Sequence, residues 1–128
     1  MAEDYYTKGN QVRREVLGDH YVERKQEQTH EFDADFQRFL TETSWGGVWA
    51  RDGLDRRTKS LVTLAIMATM RLDDEFVIHL RATHNTGATH DEIKEVLMHV
   101  AAYAGMPTAH HAMRIAKRVL AEFVEGAA

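Results

Sequence analysis

Asp55-Arg56-Arg57-Thr58-Lys59-Ser60-Leu61-Val62-Thr63-Leu64-Ala65-Ile66-Met67-Ala68-Thr69-Met70-Arg71-Leu72 is the stretch on which the fold turns. Asp55 is a plausible N-cap, and the run predicts a helix from there to about Leu72. After its first turn that helix is apolar nearly all round. Such a helix is central in its domain or covered by another surface. A chain of 128 residues is too short to surround it completely, so the reading leans towards contact with a second subunit. The apolar part, Leu61 to Met70, is broken by Thr63 and Thr69. It is about half the roughly 20 residues that a membrane-spanning helix needs.

Helical spacing dominates on both sides of this stretch, and strand-like alternation is nearly absent. Upstream, a first helix is predicted from about Asp4 to Leu17, with Val12 and Val16 on one face and Gly18 as its stop. The charged segment Asp19 to Thr29 reads as loop or short helix. A second helix is predicted from about Asp33 to Thr43, with Phe32, Phe36, Phe39 and Leu40 as its apolar stripe. The glycine-rich run Ser44-Trp45-Gly46-Gly47-Val48-Trp49-Ala50-Arg51-Asp52-Gly53 allows close approach of main chain to a ligand. Downstream, a fourth helix covers Asp74 to Thr86 with Gly87 as its stop. Thr89 and Glu92 have capping-box spacing and open a fifth helix through Ile93, Val96, Leu97 and Val100. Gly105-Met106-Pro107 breaks the chain before a last helix to about Val124. In that helix Ala109, Ala112 and Ala116 permit close packing. The expectation is an all-α, single-domain bundle of about six helices over residues 1–128.

Composition narrows the function. The chain is 44% apolar and 28% charged, with a net charge of −4, which is ordinary for a soluble globular protein. Its basic residues are interleaved with acids, which argues against nucleic acid as the partner. The absence of cysteine removes disulfides, thiolate nucleophiles and cysteine metal sites. It fits a cytoplasmic location, as does an N-terminus without a signal-peptide pattern. No membrane partner is expected.

Eight histidines make a large pool of candidates. His20, His30 and His90 lie in polar segments. His99 sits between apolar helix positions as a packing residue. His110 and His111 are adjacent and so point about 100° apart on a helix. No His-Glu-x-x-His or comparable spacing occurs, so no metal is expected. His79 differs because Glu75 lies four residues earlier, on the same helix face. A carboxylate there can set the imidazole tautomer and raise its basicity, giving a proton donor or acceptor near neutral pH. An ordinary surface ion pair has the same spacing. Trp45 and Trp49 fit either an apolar pocket wall or a pair of core anchors. Arg51, Arg56, Arg57 and Lys59 fit either a carboxylate clamp or a solvated basic face.

A resemblance adds to these readings. The strings Gly9-x-Gln11-Val12-Arg13-Arg14-x-Val16-Leu17-Gly18, Trp45-Gly46-x-x-Trp49-x-Arg51-x-Gly53-Leu54, Arg57-Thr58-Lys59-Ser60-Leu61, Glu75-x-x-x-His79-Leu80-Arg81-Ala82 and Asn85-x-Gly87-x-Thr89-x-Asp91-Glu92-Ile93-Lys94-Glu95-Val96 resemble, in order, the gamma-carboxymuconolactone decarboxylase family. The match runs from about residue 5 to 124. It implies an alkyl-hydroperoxidase D-like helical fold, commonly a homohexamer, and a carboxy-lyase of the beta-ketoadipate pathway in protocatechuate degradation. The implied substrate is a small acidic lactone that supplies its own electron sink, so no cofactor is expected. His79, oriented by Glu75, is the expected proton-transfer group. Trp45, Trp49, Arg51, Arg57 and Arg81 are the expected substrate-binding residues. The wider superfamily has thiol-redox members with a Cys-x-x-Cys pair; those positions here hold Leu72 and Glu75. Two other readings share these features: a related enzyme acting on a different carboxylated lactone, and a non-catalytic helical oligomerisation module.

Overall fold

The computed structural model describes the backbone of residues 2–127 and the side chains of residues 4–123. Among the described residues the chain holds seven α-helices and one π-helical segment. They fall into two compact units, one up to Asp55 and one from Arg56 onward.

The first unit contains α1 (Ala2–Leu17), α2 (Asp19–Gln28), α3 (Glu31–Leu40) and the π-helical segment Thr41–Trp49. Gly18, at φ 94°, lets the chain turn directly from α1 into α2. The segment read as loop or short helix is thus a ten-residue helix. Val22 is its fully buried anchor, while Asp19 in the first turn and Lys25 in the last complement the helix dipole. α3 begins two residues before the expected start; the Asp33 carboxylate accepts the His30 N–H at 2.8 Å there. It ends early, at Leu40, because the helix widens rather than stops. The hydroxyls of Thr41 and Thr43 each donate at 2.7 Å to carbonyls four residues back, which loosens a helix. At the far end the Ala50 N–H reaches five residues back to the Trp45 carbonyl at 2.9 Å, the π pattern. The glycine-rich stretch is therefore helical through Trp49.

Two glycines hold the π segment against α1. A methyl group at Gly9 would overlap the Thr41 carbonyl oxygen, and one at Gly46 would overlap the Tyr5 carbonyl oxygen. Gly47 has ordinary room. Gly46→Ala is accordingly expected to cost about 1–3 kcal/mol by overpacking, whereas Gly47→Ala should cost less; paired urea denaturations check the difference.

The second unit contains α4 (Arg56–Met70), α5 (Asp73–Thr86), α6 (His90–Ala104) and α7 (Met106–Ala127). α4 stops at Met70, two residues before the expected Leu72, because the next residue, Arg71, has a left-handed φ of 56°. α5 ends at left-handed Gly87, whose N–H bonds the Thr83 carbonyl at 3.1 Å. The expected capping box opens α6: the Glu92 N–H donates to Thr89 Oγ1 at 3.1 Å, and the Thr89 N–H to Glu92 Oε1 at 2.9 Å. Gly105 separates α6 from α7, and Pro107 sits in the first turn of α7, where its missing N–H costs nothing. α4 packs on α5 and α6, and α7 on α5 and α6. Leu64, Phe76, Leu80, Ile93, Leu97 and Val119 form the centre of the core. Ala109, Ala112 and Ala116 are all buried in it, consistent with close approach of α7.

Two apolar stripes face outward. One on α3 consists of Phe32, Phe36 and Phe39, and the structure buries no residue of that helix. The other, on α4, is Val62, Ile66 and Met70. No described helix is long and apolar enough to cross a membrane.

Candidate active site

α5 carries the candidate proton-transfer group. Its buried face holds Phe76, His79, Leu80, Thr83 and Thr86. His79, Thr83 and Thr86 are spaced i, i+4, i+7, so a polar strip runs along one side of an otherwise apolar helix. The Thr83 hydroxyl is satisfied by the Leu80 carbonyl at 2.6 Å, and the Thr86 hydroxyl donates to Ser60 Oγ of α4 at 2.9 Å. His79 itself is 7% exposed, and its Nδ1 is shut off from solvent. Loss of hydration penalises the imidazolium, and this burial lowers the His79 pKa to about 4. Glu75, one turn earlier, is exposed. The expected rise in basicity from a neighbouring carboxylate is not what the structure shows, because the i, i+4 spacing puts the two residues on one side of α5 but at different depths. In the isolated chain His79 is neutral at pH 7.

The first unit brings the other candidates together. Trp45 is buried and Trp49 half-buried; their rings stack with centroids 5.1 Å apart and planes 25° off parallel. The π segment puts them side by side, and Gly46 between them sets its distance from α1. Arg51 follows the segment and is exposed. With Lys8, Tyr5 and the Gly46–Gly47 backbone it lines a cavity of about 420 Å³. That volume suits a small molecule, and its charged lining is two cations, Lys8 and Arg51, and one carboxylate, Asp52.

Arg57 and Arg81, both in the second unit, are engaged elsewhere. Arg57 pairs with Glu92, the capping-box carboxylate of α6. Arg81 grips Glu122 of α7 through two contacts of 3.1 Å. Both arginines are about half exposed, so these are surface pairs that hold helices together more than they shape a pocket. Of the remaining histidines, His111 bonds Asp73 at 2.9 Å and ties α7 to the start of α5. His99 stacks on Tyr103 at 4.9 Å, and His110 is exposed. Among the described residues no cluster of three or more His, Asp or Glu side chains is placed to hold a metal ion.

Two features escaped the sequence reading. The buried Ser60–Thr86 hydrogen bond joins residues 26 apart and has no local signature. Arg13 did have one. Gly9, Val12, Arg13 and Val16 are spaced i, i+3, i+4, i+7, and all four are buried.

Comparison with known proteins identifies the family. Residues 34–118 match the carboxymuconolactone decarboxylase family, and the chain belongs to that family. It is 45% identical over 117 residues to the 4-carboxymuconolactone decarboxylase of Acinetobacter baylyi, covering 91% of this chain and 87% of that one. It is also 36% identical over 120 residues to a nitrosuccinic acid decarboxylase of Metarhizium robertsii, covering 94% of this chain and 84% of the relative.

Proposed function

We propose that this chain is a cofactor-independent carboxy-lyase that converts gamma-carboxymuconolactone to the beta-ketoadipate enol-lactone in protocatechuate degradation. The observation that carries the reading is a water-shielded imidazole, His79, at the centre of a motif in a chain 45% identical to a 4-carboxymuconolactone decarboxylase. The substrate is a five-membered unsaturated lactone with a carboxylate on the ring and an acetate arm. When the ring carboxylate leaves as carbon dioxide, the electrons of the broken C–C bond pass through the ring double bond to the lactone carbonyl. A furan-like oxyanion results. A proton then adds to the ring carbon beside the carbonyl, and the enol-lactone is complete.

His79 supplies that proton. In the free chain burial keeps it neutral. Two substrate carboxylates beside a buried ring favour its charged form, so it takes up a proton as substrate binds and gives it to the ring after carbon dioxide departs. Glu75 is the proposed orienting group on its i, i+4 spacing from His79, although it lies nearer the surface. Arg51, Arg57 or Arg81 holds the acetate arm; Arg51 lines a cavity with Lys8, while Arg57 pairs with Glu92 and Arg81 with Glu122. Trp45 and Trp49 keep water from the carboxylate that leaves, which favours neutral carbon dioxide over the anion. Arg51→Ala should raise KM and leave kcat near its original value; a fall in kcat alone would place Arg51 in the chemistry instead.

The assembly is a homo-oligomer of the alkyl-hydroperoxidase D-like kind, a hexamer, working in the cytoplasm. The outward stripes Phe32-Phe36-Phe39 and Val62-Ile66-Met70 support this, because contiguous exposed apolar surface marks contact sites. Light scattering should give a mass several times 14.7 kDa; a clean monomer would contradict it.

The nitrosuccinic acid decarboxylase relative favours one second reading, action on a different acid. A nitro group beside a carboxylate is also a built-in electron sink, so the same proton donor would serve. Purified protein, treated with chelator, is to be assayed for carbon dioxide release and ultraviolet change on both acids. Faster turnover of the lactone supports the main reading. Faster turnover of nitrosuccinate supports the second, and no release from either rejects both.

A further inference from the structure

The first unit holds a buried cation that the proposed reaction does not use. Arg13 lies on the inward stripe of α1 and is 7% exposed. An arginine at that depth is ordinarily met by a carboxylate, since an unpaired charge in a low-dielectric interior is costly. Here no carboxylate pairs with it among the described residues. Its hydrogen bond among them is a long one, from Nη2 to the neutral Gln37 amide oxygen at 3.4 Å. Its Nε is buried with no hydrogen-bond partner among them. Burial pushes the Arg13 pKa below its ordinary value, but a guanidinium stays charged in any working pH range.

The unmatched group borders a cavity of about 400 Å³ enclosed by α1, α2, α3 and the start of the π segment. The wall also presents Asn10, Gln26 and Gln37, whose amides can donate, and Arg38, whose guanidinium lies 4.5 Å from the centre of the Tyr6 ring. Arg38 is already paired with Glu42 at 2.8 Å. Asp35 is the single carboxylate on the wall, and it is exposed. The site therefore combines one buried cation lacking a counter-ion, several neutral donors, and one negative charge that opposes a highly charged guest.

We propose that this cavity binds a small organic acid through one carboxylate, which the Arg13 guanidinium holds. The guanidinium fork matches a carboxylate and a phosphate equally well in shape. Asp35 decides between them, because it repels a phosphate dianion more than a single carboxylate. The volume lies in the range of small-molecule sites. This reading does not depend on the reaction assigned to His79.

The test observes the parent protein directly, by nitrogen-15 spectra of arginine Nε–H groups with acetate and succinate as probes and phosphate and chloride as comparisons. The Arg13 resonance is assigned by its loss in Arg13→Lys. It should move saturably with acetate and succinate, stay put with chloride, and respond to phosphate at least about tenfold more weakly. His79→Ala should leave this response unchanged, which separates it from any failure of the catalytic reading. By calorimetry Arg13→Gln should lose at least about tenfold in succinate affinity. An unmoved resonance, or phosphate binding as tight as acetate binding, overturns the proposal. So does a resonance that ignores the acids but shifts with protein concentration, which would mean that a second copy supplies the carboxylate.

Discussion

His79→Ala is expected to lower turnover by roughly 10²–10⁴-fold, the usual span for loss of a general acid or base, with far less change in KM. The substitution removes the proposed proton donor, but not the groups proposed to recognise the carboxylates. What remains is reprotonation of the furan-like oxyanion by whatever water reaches it, in a site arranged to keep water away. Because His79 is buried, the truncation also opens a small hole in the packing of α5, so circular dichroism must first show that helix content is retained. His79→Gln, closer in volume, should be about as slow with less disturbance of the fold. Turnover near that of the parent in a folded His79→Gln protein would remove His79 from the chemistry.

The second large effect is on stability in acid. The His79 pKa is about 4 in the folded chain and near 6.5 in an unfolded one. Below pH 6.5 the unfolded chain binds a proton that the folded chain refuses, so the balance shifts towards unfolding. Stability present above pH 6.5 is lost as the pH falls towards 4, and the loss levels off below that. The total is on the order of 3 kcal/mol for this one residue. Other groups titrate in the same window, so the useful quantity is a difference between proteins. Urea denaturation at pH 7 and at pH 4.5 should show the parent losing about 2–3 kcal/mol more than His79→Gln. Equal losses would mean that the imidazole is hydrated in the folded state.

The parts of the fold that were legible in the sequence are those fixed by neighbours a turn apart. Thr89 and Glu92 announced the start of α6, and Gly87 and Gly105 announced helix ends, because each acts within a few residues of itself. Ala109, Ala112 and Ala116 announced a close helix contact by size alone. The π segment gave no such signal. Bonds reaching five residues back have no hydropathy period of their own, and Gly46-Gly47 reads naturally as loop. Yet the close approach to α1 that requires Gly9 and Gly46 is what sets the two tryptophans in place.

The site was legible in identity more than in physics. Spacing paired Glu75 with His79, since residues four apart share a face, but it carried no information about depth. Depth depends on α4 and α7, which pack on α5 from elsewhere in the chain. That packing reverses the expected direction of the His79 pKa. Arg57 and Arg81 show the same limit. Their charge suggested substrate binding, but their partners, Glu92 and Glu122, lie 35 and 41 residues away. Arg13 differs, since its place in the buried stripe beside Val12 and Val16 follows from spacing alone.

The proposed catalysis needs an imidazole that is neutral in the resting protein and becomes protonated when an acidic ligand arrives. Nitrogen-15 titration of the His79 ring, with and without a saturated, non-reacting analogue of the lactone diacid, measures this directly. The expected result is a midpoint near 4 without the analogue, moving upward by at least about one unit when it binds. A ring that titrates near 6.5 in the free protein, or whose midpoint the analogue leaves in place, would contradict it.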